Sequence, residues 1–99
     1  MISNSLHRRL TTVSEELSAL RDEGAVLAEQ LAFAHDAMQE HRLRALVAET
    51  PLADRDLRLA SETVDRIERV AQDVERQVAR LLAEQDRLLG QVRMGDSAP

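Results

Sequence analysis

The side chains best suited to chemistry in this chain are three histidines, His7, His35 and His41, and a set of paired carboxylates. Histidines four residues apart on one helix can share a metal ion, usually with a carboxylate as a further ligand. His35 and His41 stand six residues apart. That is roughly 240° around a helix, so the two rings point to different sides. No His-Glu-x-x-His occurs. Three residues before His35 and His41 stand Ala32 and Met38, where a di-iron bundle would carry Glu. The pairs Glu15/Glu16, Asp22/Glu23 and Asp54/Asp56 fall on solvent faces or helix starts of the expected elements. Glu62/Arg66, Asp65/Arg69 and Asp73/Arg76 have the spacing of surface ion pairs, worth about 0.2–0.5 kcal/mol each. There is no Cys, no Gly-rich phosphate loop and no Ser in a nucleophile elbow. The expectation is a chain that is not an enzyme, with no catalytic residue, no cofactor-binding residue and no metal site. His41 falls on the apolar seam described next. A histidine at a packed position can act as a pH-sensitive element.

The elements that carry these residues are two long heptad arrays. In the first, Leu6, Leu10, Val13, Leu17, Leu20, Gly24, Leu27, Leu31, Ala34, Met38, His41, Ala45 and Ala48 follow a 4, 3 spacing without a break. In the second, Ala53, Leu57, Ala60, Val64, Ile67, Ala71, Val74, Val78, Leu81, Gln85, Leu88 and Val92 do the same. Sustained spacing of this kind is the signature of a helix with one packed stripe. Strand formers are scarce, and aromatic content is 1 %, the single Phe33. Large rings normally supply much of a small globule's buried area, so these proportions favour long helices.

Between the arrays lies Glu49-Thr50-Pro51-Leu52-Ala53-Asp54. Pro disfavours a helical conformation in the residue before it, and it suits the first position of a helix. Thr50 is therefore the expected cap of a second helix. The chain is read as all-α: an antiparallel two-helix coiled-coil hairpin, expected to pair into a dimeric four-helix bundle. Its parts are an N-terminal arm (1–4), helix 1 (5–48), a turn (49–54), helix 2 (51–93) and a disordered tail (94–99). Ser3, Asn4 and Ser5 are candidate caps for helix 1, with Thr12-Val13-Ser14-Glu15 a second start signal. Folding at Thr50-Pro51 brings residues whose numbers sum to about 98 face to face, so Leu10 meets Leu88 and Leu17 meets Leu81.

Off the seam, Val26, Phe33 and Val47 recur at heptad spacing, with Glu40 interrupting. A lone hairpin leaves that stripe in water, and contiguous apolar surface marks an interaction site. Val26, Phe33 and Val47 are therefore the candidate protein interface, for a homodimer and for an unidentified protein partner. The acids Glu49, Asp54 and Asp56 form the candidate tip.

Net charge is −5, and all thirteen basic residues are Arg, an actinobacterial-like bias typical of high-GC coding. The half ending at Glu49 holds five Arg and eight acids, and the half from Thr50 eight Arg and ten acids. Neither half is basic, which argues against a nucleic-acid surface. No apolar run approaches the ~18 residues of a membrane span, and no signal peptide is evident. The expected setting is cytoplasmic, without nucleic acid or membrane as partner.

The function expected is a non-catalytic coiled-coil structural or adaptor protein that self-associates and binds a protein partner. Two resemblances stand beside it. In length, acidity, lack of Cys and central turn the chain is similar to exported helical hairpins of the WXG100-like kind. Thr50-Pro51-Leu52 stands where those carry Trp-x-Gly, and the Tyr of their export signal is absent. With Glu49, Asp54 and Asp56 at its turn, the hairpin also resembles the acidic-tipped coiled coils of transcript-cleavage and stringent-response factors. That resemblance implies a regulator whose tip enters the secondary channel of RNA polymerase. The globular domain that anchors those factors has no counterpart here.

Overall fold

Helix α1 spans Asn4–Ala48 and helix α2 spans Pro51–Gln91, followed by a π-helical turn over Val92–Asp96. They belong to a computed structural model that describes residues 3–96. The two helices pack against each other as an antiparallel hairpin, and no strand occurs among the described residues.

Ser3 caps α1: its hydroxyl accepts from the Leu6 amide at 3.1 Å, and its carbonyl from the His7 amide at 3.0 Å. The helix thus begins at Asn4, one residue before the expected start. It runs straight through the second start signal at Thr12. Thr11 is accommodated by donating its hydroxyl to the His7 carbonyl at 3.0 Å, a bond available to Thr inside a helix.

The turn is tighter than the expected 49–54. Only Glu49 and Thr50 lie outside helix. Glu49 adopts φ 51°, the left-handed conformation that closes a helix end. Its amide donates to the Ala45 carbonyl at 3.2 Å, satisfying one of the last carbonyls of α1. Thr50 is the cap of α2: its hydroxyl accepts from the Ala53 amide at 3.2 Å, a bond that contributes about 1 kcal/mol. Pro51 then occupies the first helical position, where its missing N–H costs nothing. Two residues suffice because the closing signal of one helix directly abuts the opening signal of the next.

At the other end, Gly90 does not stop α2, because it keeps a negative φ and helical structure continues through Asp96. The remainder of the expected tail, residues 97–99, lies outside the described residues, as do residues 1 and 2 of the expected arm.

The chain divides into two units. The terminal unit comprises Met1–Glu23 with Val74–Pro99. Its core is a run of large aliphatic side chains: Leu6, Val13, Leu17 and Leu88 are buried, with Leu10, Val78, Leu81 and Val92 packed on them. Each such burial removes apolar area worth about 1.5–3 kcal/mol. The cross-helix pair Arg9–Glu84 runs along one side at 3.3 Å.

The turn unit comprises Gly24–Asp73. Here the seam is slighter. Leu27, Ala34 and Val64 are buried, while Leu31, Met38, His41, Ala45, Leu57, Ala60 and Ile67 are half-buried. The cross-helix contact is His35–Glu68 at 3.5 Å, which becomes an ion pair when the imidazole is protonated. Every seam residue named from the sequence is buried or half-buried except Ala48, at the helix end.

The two cross-helix pairs also fix the register. In heptad terms with Gly24 at a, Arg9 and Glu84 are both g positions, and His35 and Glu68 both e positions. An antiparallel pair brings g opposite g and e opposite e. Those two contacts lie symmetrically about a facing number of about 98, the register set by Thr50-Pro51.

Candidate interaction face

Once g faces g, the g and c positions of both helices lie on one side of the hairpin, and the e and b positions on the other. In the turn unit the g/c side is the apolar one. It carries Val26, Phe33 and Val47 from α1 and Leu52, Leu59 and Val70 from α2, all exposed. Phe33 is 79 % exposed and Val47 86 %, values that leave nearly the whole side chain in water. Leu43, at an f position, is exposed at the edge of this face, and Leu46, at a b position, is exposed on the opposite side. α1 accordingly spreads its apolar residues around more of its circumference than α2 does.

Two shallow grooves run along this side. The larger, about 720 Å³, has Phe33, Ala37, Leu59, Ala60 and Thr63 in its walls, with Glu29 at its margin. The second, about 460 Å³, reaches toward the turn between Val47 and Leu52, with Arg44 beside them. His41 and Asp56 line both, so the two form one trough. The groove exists because the seam beneath is small. Ala34, Ala37 and Ala60 leave space that Leu or Ile would fill.

Val26, Phe33 and Val47, the residues expected to form an interface, are exposed on one side of the hairpin. Leu52, Leu59 and Val70 complete it from α2 and were not anticipated. The signal was available, because Leu52 and Leu59 are seven apart at c positions, as Phe33 and Val26 are. Counting off-seam positions on both arrays, and not on the first alone, would have found them.

The expected tip residues separate. Glu49 and Asp54 are exposed at the turn, whereas Asp56 is half-buried in the trough wall. His41 is half-buried on the seam and opens onto the trough. His35, given no role from the sequence, is the histidine that reaches across to the other helix.

Among the described residues no three His, Cys, Asp or Glu side chains are grouped to hold a metal ion. No helix among them is long and apolar enough to cross a membrane. The face offers apolar area, small-residue depth and charged margins. Comparison of the chain with protein-family models, curated proteins and solved structures yields no match.

Proposed function

We propose that this chain is a non-catalytic coiled-coil module that works by protein–protein contact. It self-associates through the g/c face of the turn unit into a four-helix bundle, and the assembled bundle serves as an adaptor for a protein partner in the cytoplasm. One observation carries the reading. Six large apolar side chains, Val26, Phe33, Val47, Leu52, Leu59 and Val70, are exposed together on one side of one unit. Scattered apolar residues on a surface are ordinary, but six drawn from two helices onto one side of one unit favour an interface.

Light scattering on the chain and on Phe33→Asp tests it, with far-ultraviolet circular dichroism confirming that both remain helical. The reading expects a mass twice the 11.1 kDa of one chain for the parent. It expects the 11.1 kDa mass for Phe33→Asp, with helicity kept, because Phe33 is 79 % exposed in its own hairpin. Equal masses for the two proteins would sink it.

A further inference from the structure

We infer that the second copy docks on the turn unit in a single orientation, with both turns at the same end and α1 of each copy lying along α2 of the other. The inference rests on the self-association proposed above and specifies its geometry.

Two identical hairpins stacked face to face are related by a two-fold axis that runs either along the helices or across them. An axis across the helices lays α1 on α1 and α2 on α2. An axis along them lays α1 on α2. The charges at the margins of the face decide between the two. The α1 margin carries Glu29, Asp36 and Glu40. The α2 margin carries Arg55, Arg66 and Arg69, with Glu62 among them and Asp73 at the far end. Nearer the midline, Arg44 of α1 and Asp56 of α2 reverse these signs together.

An axis along the helices leaves no freedom to slide, since residues level within one hairpin must be level across the dimer. Level residues have numbers summing to about 98. Glu29 then meets Arg69 of the second copy, Glu40 meets Arg55, and Arg44 meets Asp56. Asp36 falls level with Glu62, one like-charge pair against these three matched ones. The same levels bring Val47 to Leu52 and Val26 to Val70, and they set Arg66 over the ring of Phe33, a cation–π arrangement. Arg66 and Arg69 are available for this role, because the Glu62–Arg66 and Asp65–Arg69 ion pairs expected from spacing are not formed within the hairpin. An axis across the helices sets the acidic margins against each other and the Arg rows against each other, and like charges so placed oppose association. The six apolar residues expose on the order of 700 Å² per copy, close to the ~800 Å² per partner of a standard stable interface. A second copy can therefore cover the face without further elements.

The test uses the absence of Cys, which lets Glu49→Cys place one spin label at each turn. With the axis along the helices, the two labels lie within about 25 Å, since neighbouring helices in a bundle are 8–10 Å apart. With the axis across the helices at the level of Ala37, the turns separate by roughly 35 Å or more at 1.5 Å per residue. A companion pair of variants tests the charges. Glu29→Arg/Glu40→Arg and Arg55→Glu/Arg69→Glu should each self-associate roughly ten-fold or more weakly, and mixing them should restore dimer. A dimer with its turns far apart overturns this orientation and leaves the self-association standing. A dimer indifferent to both charge variants overturns the charge matching. A monomer at all concentrations overturns the inference and the self-association together.

Discussion

The terminal unit and the turn unit are each built on a heptad seam, yet they dispose of their apolar residues differently. In the terminal unit the seam is filled by Leu and Val, and Leu88 is 0 % exposed. Its g/c side is polar: Arg9, Glu16, Gln77, Arg80, Glu84 and Arg87 stand there. In the turn unit Ala34, Ala37, Ala45, Ala53 and Ala60 thin the interior, and Phe33, Val47 and Leu52 stand outside. A helix pair has a limited stock of large apolar residues. The terminal unit puts most of its own into the seam, with Leu82, Leu89 and Met94 left outside, whereas the turn unit leaves six of them exposed on one side.

The difference can be broken first at Leu88. Leu88→Ala should destabilise the hairpin by about 3 kcal/mol, because it removes a fully buried side chain and leaves a cavity. Leu59→Ala, in the turn unit, should change unfolding of the monomeric chain by less than about 0.5 kcal/mol while weakening self-association. Denaturant unfolding at a concentration low enough to dissociate any dimer measures both. Equal costs would mean that the two units do not differ as described.

A smaller effect sharpens the account of the terminal unit from the other direction. A Cβ placed on Gly90 meets nothing within 4 Å, and the residue is helical with negative φ. Gly90→Ala should therefore raise stability by about 0.8–1 kcal/mol, read as a higher unfolding midpoint with unchanged mass. A loss of stability would show that the end of α2 needs its glycine.

The smallest expected effect concerns the polar side of the terminal unit. Arg9 and Glu84 are 49 % and 33 % exposed in their side chains, so solvent screens most of their attraction. A double-mutant cycle with Arg9→Ala and Glu84→Ala should give a coupling of at most about 0.5 kcal/mol, fading with salt. A coupling of several kcal/mol would make that side a structural element in its own right.

Much of this architecture was legible in the sequence because its determinants are local. Thr50-Pro51 announces a helix start whatever surrounds it, and the 4, 3 spacing names the seam residue by residue. Phe33 was recognisable as off-seam from position alone. What lay beyond reach depends on the pairing of distant residues. Glu49 enters the left-handed region because the helix must reverse within two residues, and nothing in a glutamate advertises that. His35 finds Glu68 only once the register is set, while the more conspicuous His41 sits on the seam. Asp56 reads as a tip acid by its proximity to the turn, yet helical phase carries it into the trough wall. The depth of the trough comes from alanines that are unremarkable singly and matter only where those of both helices lie level.

The most direct test compares two residues of nearly equal exposure, one on each unit. Leu59 on the turn unit is 47 % exposed and Leu89 on the terminal unit 43 %. In a chain without Cys, Leu59→Cys and Leu89→Cys each report a single thiol. If the turn-unit face docks a second copy, alkylation of Leu59→Cys slows markedly as protein concentration rises from nanomolar to tens of micromolar, while that of Leu89→Cys stays constant. If both thiols react at similar rates that do not depend on concentration, the face is not covered and the central claim is wrong.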